Sequence, residues 1–181
     1  PLRLVGSEMC IRDRSIIGAM LMSKVATAKL VGVNEPSAAD IVAVFNQCFA
    51  QAYAVEMRGG ADEPLYLPAT LDKPAELIFR EDFPASALHE AAHWCIAGEQ
   101  RRNSPDFAYT YITAPRSDAQ QALFFAAELR TQALESVFAE AANVIFNPSA
   151  DNLTVDVAAF ASAIAQYLSL IHISEPTRRR G

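Results

Sequence analysis

From Ser37 onward the apolar positions fall into a helical rhythm. Ile41, Val44, Phe45, Cys48, Phe49 and Tyr53 recur at intervals of three and four, which lines one face of an α-helix. Ser37 stands where a cap belongs, and Gly59-Gly60 predicts the end of the helix. The rhythm then shortens. Asp62 to Pro68 and Glu76 to Arg80 read as two extended segments separated by a polar turn around Asp72 and Lys73, with the prolines demoting the first to an edge strand or loop. Ser86 to Gly98 is apolar on nearly every side, the mark of a buried helix. Asp82 is its expected cap, Pro84 fits the first turn, and Gly98 fits a left-handed C-cap. Phe107 to Thr113 alternates like a strand closed by Pro115. Asp118 to Phe146 is a long helical stretch, bent or broken near Thr131. A turn at Asp151-Asn152-Leu153 precedes a last amphipathic helix, Thr154 to Leu168. These elements predict a single α+β domain with a small mixed or antiparallel sheet and the buried helix packed on the long one.

That buried helix carries the chemistry. His89-Glu90-Ala91-Ala92-His93 is a complete HExxH, and on a helix the two histidines lie one turn apart on one face, able to reach one metal ion. Two imidazoles and a carboxylate in an apolar helix need partners, because an unpaired buried charge is costly. Metal ligation satisfies them; the plainer alternative is a core helix whose polar groups hydrogen-bond to backbone and to each other. A two-histidine site needs a third protein ligand. Glu128 and Glu135 are seven apart and share a helix face, and either can complete the shell. Glu128 follows Phe124-Phe125-Ala126-Ala127, an apolar context that favours it. On spacing alone the arrangement reads as a zinc metallopeptidase with Glu90 as general base. Asp62 and Glu63 read as a solvated pair, and Arg101 and Arg102 as cations solvated beyond a helix C-terminus. Tyr109 and Tyr111 read equally as core or cleft residues.

Composition narrows the class. Residues 1–14 and 169–181 resemble translated sequencing-adapter read-through and are set aside from fold reasoning, leaving 15–168 as one domain expected to lack its natural C-terminus. Within 15–168, nine basic residues face eighteen acidic ones, which argues against a nucleic-acid groove. No apolar run approaches the 18 or more residues that span a bilayer. Arg12, Arg14 and the apolar run Ile16 to Met22 imitate a signal peptide, but the arginines lie in the set-aside end and Lys24 follows closely. Cys48 and Cys95 are too few for a disulfide framework and fit a reducing cytoplasm. No nucleophile elbow surrounds Ser86, and no phosphate-cradling glycine loop or repeat occurs.

Beyond the motif, Phe45-Asn46-Gln47-Cys48-Phe49, Asp62 to Ala69, Ser86 to Gly98, Arg101-Arg102, Asp106-Phe107, Gln132 to Glu135 and Ser149 to Leu153 resemble the elongation factor P hydroxylase family in one register over about 41–153. The resemblance implies a bacterial cytoplasmic enzyme that hydroxylates the β-lysylated lysine of translation elongation factor P, with a two-histidine, one-carboxylate metal site and a fold unlike the usual dioxygenases. It implies that His89, His93 and Glu128 hold Fe(II), which activates O2, while Glu90 orients a histidine or metal-bound water and moves protons. Ala108, Thr110, the stretch Thr113 to Arg116, and Thr131 depart from the family pattern, on the side of the site expected to meet substrate. The metallopeptidase, which would use zinc, and a domain with a structural or vestigial metal are the competing classes.

Overall fold

Ser37 opens the first helix, α1 (Ala38–Tyr53), with a capping box: its hydroxyl accepts from the Asp40 N–H and Asp40 accepts from the Ser37 N–H at 2.9 Å. The structure, a computed structural model, describes residues 35–108, 117–150, 153 and 155–174. Ile41, Phe45 and Phe49 form the buried face of α1. The helix ends earlier than expected, because Ala54 turns left-handed (φ 47°) and the chain passes directly into a strand. Gly59-Gly60 therefore lies inside β1 (Val55–Ala61), not at a helix end.

β1 runs parallel to β3 (Ala75–Arg80), and β2 (Leu65–Leu67) pairs with the other side of β3 antiparallel, giving a mixed sheet of order β1-β3-β2. The central strand is the most buried, through Ala75, Leu77, Ile78 and Phe79. The two glycines form a bulge in β1, three residue steps opposing two on β3. They serve different ends. A Cβ on Gly59 would stand 2.6 Å from the Glu81 carbonyl and 2.7 Å from the Phe79 ring; Gly60 has open space but φ +88°, a region that favours glycine. Side chains cover both sheet edges. Asn46 of α1 accepts from the Met57 N–H at 2.8 Å and donates to its carbonyl at 3.3 Å, and Asp106 accepts from the Tyr66 N–H at 2.9 Å.

The motif helix, α2 (Pro84–Arg101), follows β3 after a short turn. Phe83, not Asp82, is the N-cap, and no side chain caps the end. The chain substitutes another tie, the Ser86 hydroxyl accepting from the Arg80 N–H at 3.2 Å. Trp94 anchors α2 in the core against Phe45, Phe49 and Tyr53, at centroid distances of 5.3, 4.9 and 5.3 Å. At Gly98 (φ 71°) the helical path breaks and a last turn folds back. That turn returns Arg102 over the Trp94 ring at 3.6 Å, with its Nε–H donating to the Trp94 carbonyl at 3.0 Å. Arg102 is thus a packing residue and not a solvated cation: its planar head stacks on the indole face as an aliphatic chain could not. Its carbonyl accepts from the Tyr66 hydroxyl at 2.8 Å.

A 3-10 turn, Pro105–Ala108, replaces the start of the expected strand, with left-handed backbone at Asp106, Phe107 and Ala108. Phe107 stacks on Tyr66 at 4.2 Å. Residues 109–116, with the tyrosines expected of that strand, lie outside the described residues.

α3 (Asp118–Ala142) is capped by Ser117 with Gln120 and ends at a left-handed Asn143. It runs unbroken through Thr131, whose hydroxyl bonds back to the Ala127 carbonyl at 3.1 Å. α3 packs on α2 and on α4 (Val157–Ser174), where Phe160 and Ile164 meet Ala133 and Phe125 in a second small core. The chain is thus a single α+β domain with four helices among the described residues. None of them is long and apolar enough to cross a membrane.

The bulge yields a contrast testable by urea unfolding. Gly59→Ala forces a Cβ onto backbone and should cost about 2–4 kcal/mol. Gly60→Ala, where space is open and only φ is strained, should cost about 1 kcal/mol.

Candidate metal centre

α2 and α3 face each other antiparallel, and polar groups meet across their contact: His89 and His93 on α2, Glu128, Thr131, Gln132 and Glu135 on α3. The imidazole Nε2 atoms approach to 3.1 Å, with the rings edge-on at 77°. Each outer nitrogen is occupied. His89 Nδ1 lies 2.8 Å from Glu135 Oε2, and since a carboxylate only accepts, the nitrogen donates. His93 Nδ1 lies 3.3 Å from Thr131 Oγ1, whose single proton goes to the Ala127 carbonyl. That nitrogen donates as well.

Both Nε2 lone pairs therefore point into one space. Two acceptors at this distance repel unless a positive species stands between them, and the choices are a proton or a metal ion. Glu128 Oε1 lies 3.5 Å from His93 Nε2, and one donor atom from each of His89, His93 and Glu128 falls within 4.8 Å of the others. The spacing suits a metal: two nitrogens each about 2.1 Å from one ion and about 95° apart sit about 3.1 Å from each other. Glu135, the alternative third ligand, lies instead on the outer nitrogen of His89. Carboxylate partners of that kind fix a ligand histidine's tautomer and ring plane.

The electrostatics match. Burial alone would lower the His89 pKa, but the hydrogen bond and charge of Glu135, aided by Glu90 and Glu128, raise it to about 9. In the metal-free protein the bridging positive species is therefore a proton, donated from His89 Nε2 to His93 Nε2. Burial would raise Glu128; its contact with His93, the positive field of the histidine pair and the donated Gln132 hydrogen bond outweigh burial and hold it at about 2. Glu90 is buried, and burial pushes its carboxyl above the usual range against the pull of His93 and His89. Among the described residues its carboxyl group has no hydrogen-bond partner. Asp62 and Glu63 are exposed and are not among the grouped donor atoms.

Thr131 and Gln132 belong to the site although motif reasoning passes over them. Their signal was present: 128, 131, 132 and 135 form a polar stripe at helical spacing on an otherwise apolar stretch. Ser149 joins them through its backbone, accepting from Gln132 Nε2 at 2.9 Å and donating to Oε1 at 3.0 Å.

Two histidines and one carboxylate on facing helices make up the donor set of non-haem metal enzymes. The family described as Elongation factor P hydroxylase matches residues 44–180, and the chain belongs to that family. It is 47% identical over 115 residues to the elongation factor P lysine hydroxylase of Haemophilus influenzae. The shared stretch covers 63% of this chain, which spans about 65% of the length of that curated relative.

The ionisations predict how the metal-free protein responds to pH. A His89 pKa raised from 6.5 to about 9 contributes stability that is complete below pH 6.5 and lost as pH rises through 9. Glu90, also raised, acts in the same sense. Glu128, lowered from 4.5 to about 2, contributes stability that is complete above pH 4.5 and lost as pH falls through 2. Urea unfolding of chelator-treated protein should therefore lose stability between pH 6.5 and 9. In Glu135→Gln most of that alkaline loss should vanish, because burial then holds the His89 pKa down; an unchanged slope would assign the loss to another group.

Proposed function

We propose that this domain holds one iron(II) ion at His89, His93 and Glu128 and uses dioxygen to hydroxylate a modified lysine side chain of translation elongation factor P, in the cytoplasm. The observation that carries the reading is the 3.1 Å approach of two Nε2 atoms whose Nδ1 partners are both held by α3. Family membership and the name of the H. influenzae relative supply the substrate.

Iron(II) bound there would supply the redox chemistry that activates dioxygen, one oxygen atom entering a C–H bond and the other leaving as water with two electrons from an external reductant. The chain's own residues do the rest. Glu135 and Thr131 hold both imidazoles by Nδ1 with Nε2 aimed inward, so a metal has only to displace the one proton shared between them. Glu128 adds a single negative charge, leaving coordination positions open. Glu90, buried beside the histidines with its carboxyl pKa raised, accepts and returns a proton at its carboxylate oxygen. The acidic balance of the domain suits a substrate side chain that carries ammonium groups, and neither nucleic acid nor membrane is required. Peptide hydrolysis with zinc, the other chemistry open to an HExxH helix, would use the same three donors; the family match favours hydroxylation.

The test is mass spectrometry of β-lysylated elongation factor P after aerobic incubation with the iron-loaded protein and a reductant. A gain of one oxygen atom on the modified lysine is expected, with none in His89→Ala. Glu90→Gln should keep metal affinity and lower turnover by about 10²-fold or more. No oxygen gain from folded, iron-loaded protein would overturn the substrate assignment. Calorimetry in buffers of different ionisation enthalpy adds a second check. Between pH 6.5 and 9, metal binding should displace the His89 proton, so affinity should rise with pH up to about 9.

A further inference from the structure

The carboxylate of Glu128 has two unequal oxygens. Oε1 faces His93 Nε2 at 3.5 Å, while Oε2 accepts from Gln132 Nε2 at 3.2 Å. Gln132 is itself buried and fully occupied. The second hydrogen on Nε2 goes to the Ser149 carbonyl at 2.9 Å, and Oε1 takes the Ser149 N–H at 3.0 Å. A side-chain amide can often turn over, exchanging its oxygen and nitrogen. Here it cannot. The Ser149 backbone offers one donor and one acceptor, and turning the amide would set carbonyl against carbonyl and N–H against N–H. The chain segment that follows α3 thus dictates that Gln132 presents a donor, never an acceptor, to Glu128.

We propose that Gln132, clamped by the Ser149 backbone, is the positioning residue that makes Glu128 a one-oxygen metal ligand. The proposal rests on the metal reading above. A carboxylate with both oxygens free can close on an ion through either or both; with Oε2 engaged by Gln132, Oε1 alone is left to turn inward. The consequence is one more open position on the ion than a two-oxygen carboxylate would leave, so room for dioxygen and a substrate atom together depends on a residue that itself touches neither. Thr131 and Glu135 fix the two histidines and Gln132 fixes the acid. Each donor of the cluster therefore has its own support from α3.

The experiment titrates metal-free wild type, Gln132→Met and Gln132→Asn with Co(II), recording ligand-field absorption, and measures Fe(II) affinity by chelator competition. Met keeps the length and loses the donor; Asn keeps the amide but is one methylene too short to reach Glu128 and the Ser149 peptide together. Either variant that folds is expected to bind 10–100-fold more weakly, with Co(II) bands shifted in energy and intensity as the carboxylate closes through two oxygens. A variant that is less stable to urea yet shows the wild-type affinity and Co(II) spectrum has lost only packing, and that result overturns the proposal. A wild-type protein that binds neither ion, indistinguishable from His89→Ala, overturns the metal site and this inference with it. Binding by wild type with unchanged Gln132 variants overturns this inference alone.

Discussion

Everything in the molecule answers to one electrostatic constraint: two imidazole nitrogens, whose ring partners Nδ1 already donate elsewhere, held 3.1 Å apart in a buried contact between helices. Left to themselves they would part. Glu135 and Thr131 prevent this by gripping the outer nitrogens from a second helix, and the facing lone pairs then demand a cation. Such a contact is costly unless a shared proton or a bound cation lies between the two nitrogens. Three carboxylates, Glu90, Glu128 and Glu135, surround the pair and supply the negative potential that makes a cation welcome there.

The rest of the fold keeps α2 where α3 can reach it. Trp94 lies one residue past His93, on a different face of the helix, and is enclosed by three aromatic rings of α1 and by the Arg102 guanidinium. The same short helix thus turns an apolar anchor toward one side of the domain and its polar pair toward another. Gly98 makes this possible, since its break lets Arg102 fold back over Trp94 and close the anchor from outside. At the opposite end the Ser86 hydroxyl ties α2 to β3, so both termini of the motif helix are pinned.

Much of this was legible in the sequence. The motif helix announced itself through a self-contained pattern, and two of the three strands, β2 at a proline-flanked edge and β3, followed from short extended runs, whereas β1 reads as the end of a helix. The misreadings share a cause: residues with two local meanings whose choice is made by distant partners. Gly59-Gly60 reads as a helix stop or as a bulge, and only pairing with β3 selects the bulge. Arg102 reads as a solvated cation until Gly98 turns it onto Trp94. Asp82 is a plausible cap that the turn after β3 does not use. Thr131 looked like a weak point in a helix because its propensity is modest, whereas its hydroxyl bridges Ala127 and His93 within a continuous helix. Gln132 stood in a polar stripe, but its role was not legible because its partner Ser149 lies 17 residues away.

The two edge contacts of the sheet have a consequence for how the domain meets other proteins. A three-stranded sheet ordinarily leaves two open flanks on which an extended peptide can be added as a further strand. Here Asn46 occupies both backbone groups of Met57 on one flank, and Asp106 takes the Tyr66 N–H on the other. Strand addition would first have to displace these side chains. At these two positions an incoming peptide would find backbone groups already taken by side chains.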